Sequence, residues 1–180
     1  MSLPSPWSFI GAAQGLGGNV FDFEWHEGAL WLAGTRGLVR MAPNAHGGID
    51  TRETHWVELE AFAVSSTAQG LVVAHRNGML VLDPGASAPR ALFTTQAESV
   101  LERLHSKHHP DRIYALGDLN MFVLVMRDGR WQLDFTVPLQ GASAAYLIET
   151  GPQELWFGDS RGGPQRWTLD LAQRKVAKRE

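Results

Sequence analysis

The sequence predicts an all-β protein: a β-propeller or partial propeller of about four four-stranded antiparallel blades, each roughly 41 residues long. Three observations predict it. Apolar anchors recur in phase along the chain. A residue suited to a tight turn follows each anchor at one offset. Short apolar runs bounded by turn formers flank every anchor, while helix-period patterns are almost missing.

The anchors are Trp31 in "ALWLAG", Val72 in "GLVVAH", Tyr114 in "RIYALG" and Trp156 in "ELWFGD". Each follows an aliphatic residue: Leu30, Leu71, Ile113 and Leu155. Six positions beyond each anchor stand Gly37, Gly78, Asn120 and Gly162, residue types that tolerate a positive φ. The pattern reads as a hairpin whose four- to five-residue loop is a type I turn closed by a left-handed residue. Two positions past the anchor the residue is small in three copies (Ala33, Ala74, Gly158), and Leu116 is the exception.

A first strand precedes each anchor: "VFDF" (20–23), "AFAV" (61–64), "VLERL" (100–104) and "AYLI" (145–148). The third run lies in "AESVLERLHSKHH", the best helix candidate in the chain, but its register favours a strand. A fourth strand follows the return strand: "HWVEL" (55–59), "RALFT" (90–94), "WQLDF" (131–135) and the weaker, charged "RKVAK" (174–178). "WSFIG" (7–11) stands where the last strand of a preceding blade would lie. The expected division is an N-terminal strand region at 1–19, then blades at 20–60, 61–99, 100–144 and 145–180. A single such sheet has two apolar faces and buries them only by stacking on neighbours. A plain β-sandwich also alternates strands and glycine turns, but it does not require four copies in phase.

Composition narrows the function classes. The 180 residues are 44% hydrophobic and 19% charged, a globular balance, and the net charge of −3 offers no electrostatic grip on nucleic acid. No apolar run is long enough to span a bilayer as a helix, so direct membrane insertion is not expected. Cysteine is absent, which removes disulfides, thiolate metal sites and cysteine nucleophiles. Seven Trp and 19 Gly against two Tyr suggest a recurring packing position and many tight turns.

The stretch "GLGGNVFDFEWHEGALWLAGTRGLVRM" (15–41) resembles the two-component-regulator propeller repeat. The matching positions are Gly15, Leu16, Asn19, Val20, Glu27, Gly28, Leu30, Trp31, Gly37, Leu38 and Arg40, with Ala33 and Gly34 in place of the usual Gly-Thr pair. "LIETGPQELWFGDSRGG" (147–163) is a second, partial match. The resemblance implies a bacterial sensor β-propeller, ahead of a kinase or cyclic-dinucleotide-synthesising domain. It also implies a periplasmic or extracellular place. The N-terminus shows no signal peptide, so the cytoplasm stays open as the alternative. The family builds its sensors from more than four repeats. The chain therefore reads as a piece of a larger propeller, whose open blade ends favour self-association.

Catalytic signatures are thin. No nucleophile elbow or phosphate-binding glycine loop appears, since "GLGGN" (15–19) lacks a following helix and a lysine. The histidines of "HSKHH" (His105, His108, His109) with Asp111 invite a metal but read more simply as a solvated loop. No cofactor, metal or catalytic residue is expected, and the chain is expected not to be an enzyme. The runner-up readings are an interaction scaffold without a small ligand and a propeller lyase using His75. The favoured site is the ring of second-to-third-strand turns: Gly34-Thr35-Arg36, His75-Arg76-Asn77, Gly117-Asp118-Leu119 and Asp159-Ser160-Arg161. Repeat phase places all four tips at one end. The candidate ligand-binding residues are Arg36, His75, Arg76, Asp118, Asp159 and Arg161, a partly cationic rim for an anionic ligand or an acidic partner surface.

Overall fold

A computed structural model describes residues 16–46, 48–53, 57, 60–96, 98–140, 144–159 and 162–180. The regular structure of the described residues is β-strand throughout. The first sheet contains β1 (Val20–His26), β2 (Ala29–Gly34), β3 (Gly37–Pro43) and β4 (Ile49–Glu53). The second contains β5 (Ala61–Thr67), β6 (Gly70–His75), β7 (Gly78–Leu82) and β8 (Arg90–Thr94). The third contains β9 (Val100–His105), β10 (Arg112–Gly117), β11 (Asn120–Arg127) and β12 (Arg130–Pro138). The fourth contains β13 (Ala144–Gly151), β14 (Glu154–Asp159), β15 (Gly163–Asp170) and β16 (Lys175–Arg179). Every sheet is an antiparallel meander in chain order. "VLERL" is strand, as its register predicts.

The period-2 alternation of each strand gives each sheet two apolar faces. The onward face meets the next sheet and the back face meets the one before. Trp31, Ala33 and Leu38 of the first sheet pack on Val64, Leu71, Val73 and Leu80 of the second. Val72, Ala74, Met79 and Val81 then pack on Ile113, Ala115, Phe122 and Leu124. Tyr114, Leu116, Met121 and Val123 pack on Leu155, Phe157, Trp167 and Leu169. Three apolar layers therefore hold four sheets in series. The first strands, β1, β5, β9 and β13, pack on one another in turn and form the inner edge of the stack.

Two expected positions shift. The first sheet ends in β4 at Ile49–Glu53 rather than in "HWVEL", most of which lies outside the described residues. Asn44 fixes this register. Its Oδ1 accepts from the backbone N–H of His46 (3.0 Å) and of Gly48 (2.8 Å), and its Nδ2 donates to Asp50 Oδ1 (2.8 Å). The hairpin closes there, so the partner strand starts at once. Gly37 and Gly78 have the expected positive φ and Asn120 does not; in the last hairpin Gly163 has φ 83°, and Gly162 adjoins a residue outside the described ones. "WSFIG" lies outside the described residues.

Candidate functional site

The second-to-third-strand turns lie at one end of the sheets, and three of them are tied down alike. Thr35 N–H donates to Asn19 O (3.0 Å), Arg76 N–H to Glu60 O (3.1 Å), and Asp118 N–H to Ser99 O (3.1 Å). Each tip thus grips the segment that leads into the inner strand of its own sheet. Arg36 is exposed and lies over Gly17, where an added Cβ would come within 2.8 Å of its Nη1. Arg76 is exposed and ion-paired with Glu60. Asp118 accepts from Ser99 N–H at 3.1 Å. His75 is half-buried, accepts from Asn77 N–H at 3.3 Å, and has its pKa lowered by burial. Glu98, buried beneath the third tip, accepts from the N–H groups of Leu119 (2.8 Å) and Asn120 (2.6 Å). The Asp159 backbone ends β14 beside Gly163, and Arg161 lies outside the described residues.

A second feature was not expected. All four inner strands carry a pairing irregularity near this same end. Register shifts fall between Val20 and Asp22, between Ala61 and Ala63, opposite Leu116 and Gly117 on β9, and between Ala144 and Leu147. Phe21, Phe62, Leu101 and Tyr146 occupy these skipped positions. A bulge re-aims a side chain out of the alternation of its strand. Here the four side chains converge and line one cavity of about 320 Å³ with Asp22, Ala63, Glu102 and Arg103. Phe21 and Phe62 stack with centroids 5.5 Å apart.

Arg103 is the polar centre of this axial cavity. Its Nη2 donates to Asp22 Oδ2 (2.8 Å) and to Val64 O (2.6 Å), and its Nη1 faces Glu102 Oε1 at 3.4 Å. Asp22 Oδ2 also accepts from Val64 N–H (2.9 Å). One guanidinium therefore joins the inner strands of three sheets, and its buried Nε has no hydrogen-bond partner among the described residues. Two carboxylates surround one guanidinium beside three exposed or half-buried aromatic rings. Such a cavity offers stacking surface, acceptors and donors together. The sequence held one signal for it: an aromatic at the second position of "VFDF", "AFAV" and "AYLI".

The opposite end is structural. Glu149 of β13 is buried and accepts from Ser106 Oγ (2.6 Å), Lys107 N–H (2.6 Å) and His108 N–H (3.4 Å). It caps the "HSKHH" turn, and His109 Nε2 lies 2.5 Å from Pro152 O. Among the described residues no three of His, Asp and Glu are grouped to hold a metal ion.

No protein-family model and no curated protein matches the chain in sequence. Solved structures do match in shape. The extracellular domain of a B. thetaiotaomicron protein assigned as a hybrid two component system aligns with a TM-score of 0.70 at 13% identity. That match covers 92% of this chain but only 22% of the other. A Bacteroides uniformis protein assigned as a 6-phosphogluconolactonase aligns at a TM-score of 0.59 and 12% identity, covering 87% of this chain and 55% of that one. A luciferin-regenerating enzyme aligns at 0.51 and 10%, covering 89% and 59%. The expectation that this chain is not an enzyme is corrected by the last two: the same fold occurs in proteins named as enzymes, so the architecture does not set the chain apart from them. What the chain shares with all three is its fold, a propeller-like arrangement that this chain builds from four four-stranded antiparallel sheets.

Proposed function

We propose that this chain is a ligand- or partner-binding propeller segment from the sensor region of a bacterial signal-transduction protein, working outside the cytoplasm, and that a small ligand enters the axial cavity. One observation carries this reading. The same bulge recurs in four inner strands and turns Phe21, Phe62, Leu101 and Tyr146 into one space. Arg36, His75, Arg76 and Asp118 would add outer contacts at the same end, and the Asp159 side chain and Arg161, named with them from the sequence, lie outside the described residues.

The mechanism follows from Arg103. A ligand that engages Arg103 or Glu102 competes with the contacts joining three sheets, so it acts on the packing between them. The shift is transmitted only if the ligand binds two arrangements of the sheets with different affinity. The test is a thermal-shift screen with inorganic phosphate, neutral monosaccharides and small alkylamines. A bound compound at a hundredfold excess over its Kd stabilises by about 2.7 kcal/mol. The stabilisation should disappear in Phe21→Ala and Glu102→Gln. Hits that survive both substitutions would place the ligand elsewhere, and no hit in any class would favour a scaffold.

A further inference from the structure

The two ends of the stack present the two halves of an interface that the molecule already builds three times. The anchor residue sits on the onward face of every sheet. Trp31, Val72 and Tyr114 are 4%, 0% and 0% exposed because the next sheet covers them. Trp156 is the fourth member of this set, and here the onward face is an open groove of about 410 Å³. Trp156 lines it with Tyr146, Ile148, Gly158 and Pro164. Tyr146 and Ile148 are 72% and 60% exposed.

The first sheet has the matching deficit on its back face. Phe23 and Trp25 are 67% and 57% exposed. Phe23 pairs with Leu32 across the ladder, just as Val64 pairs with Val73 and Leu147 with Phe157. Val64 and Leu147 are buried by the preceding sheet, whereas among the described residues no sheet lies against Phe23. Leu16 packs on the same face at Leu32, Val39 and Met41, which leaves the inner strand as the open part. Of the large hydrophobic side chains exposed among the described residues, all but Ile49 and Leu119 belong to β1 and β13. Inner strands are also where neighbouring sheets meet inside the molecule.

We infer that the onward face of the fourth sheet docks on the back face of the first sheet in a second copy of this chain, β13 against β1. A second copy is the occupant because this chain carries both complementary halves. Two copies joined head to tail satisfy both open faces at once and close into a ring of eight sheets, leaving no apolar end.

The experiment is sedimentation or light scattering of the 180-residue chain at about 1 to 100 µM. The expected species is a dimer of twice 19.8 kDa. Ile148→Glu and the pair Phe23→Glu with Trp25→Glu should each weaken self-association by at least about 30-fold. The substituted side chains are exposed, and circular dichroism with a melting curve verifies that each variant is folded. Mixing the two variants leaves one intact interface, so a 1:1 heterodimer should form where neither self-associates. A wild type that stays monomeric throughout, or assemblies that both variants leave intact, would overturn the inference.

Discussion

Alkaline pH singles out one buried phenol. Tyr114 lies in the layer between the third and fourth sheets, 0% exposed, with its hydroxyl lacking a hydrogen-bond partner among the described residues. Nearby Ser106 Oγ is already engaged, donating to Glu149 Oε1 (2.6 Å) and accepting from His109 N–H (2.8 Å). Burial first, and then the Glu149 charge, push Tyr114 from 10.0 up to about 12. The unfolded chain therefore loses this proton before the folded one. The stability held below pH 10 falls away between 10.0 and about 12. Two pH units correspond to about 2.7 kcal/mol. Tyr114→Phe keeps the ring in its layer and removes an unpaired hydroxyl. Its stability at neutral pH should stay within about 1 kcal/mol of the parent. Its decline between about pH 10 and 12 should be smaller by about 2–3 kcal/mol. Urea unfolding at stepped pH reads both quantities. An unchanged alkaline decline, or a neutral-pH loss above about 2 kcal/mol, would refute the assignment of this group.

The other predictions concern single residues and use the same unfolding assay. The Asp134 side chain is 1% exposed and takes Arg112 (2.9 Å), Arg127 (2.6 Å) and Arg174 (3.1 Å). Burial works to raise its pKa, but the Arg112 hydrogen bond and the charges of Arg127 and Arg174 outweigh it and leave the carboxyl below 3.8. Asp134→Asn should cost about 2–4 kcal/mol at neutral pH. That difference should close only as the pH falls below 3.8. Gly78 has φ +126°, and a Cβ there would sit 2.3 Å from Phe93 O, so Gly78→Ala should cost about 2–4 kcal/mol. Burial holds His75 below 6.5, so its contribution is full above that value and is lost as the pH falls. His75→Gln should flatten the acid-side decline of the melting temperature, and an unchanged profile would remove His75 from the account.

The architecture was legible because each sheet must bury an onward face, and that need repeats. Trp31, Val72, Tyr114 and Trp156 are one physical position written four times. β4 was not legible. An edge strand pairs on one side only, so "IDTRE" forms it while the more apolar "HWVEL" draws attention; the deciding group is the Asn44 side chain in the turn before it. The Asn120 assignment failed because that turn contains no left-handed residue: buried Glu98 accepts from the N–H groups of Leu119 and Asn120 and holds it closed, a contact no offset count reveals. The axial cavity was only half visible. Phe21, Phe62 and Tyr146 recur in phase, but a regular strand would point them up or down the sheet face, and only the bulges aim them inward. Leu101 and Arg103 carry no such repeat signal, because their roles depend on neighbours from other sheets.

The central claim is that the inner strands of all four sheets converge on one cavity. The chain has no cysteine, so Phe21→Cys and Tyr146→Cys place two spin labels without background. These positions lie on the first and last sheets, at equivalent bulges. Pulsed electron–electron spin resonance, with the labelled chain diluted in unlabelled chain, should give one short and narrow distance. A long or broad distribution would mean that the first and fourth sheets do not face a common axis, and the site would not exist.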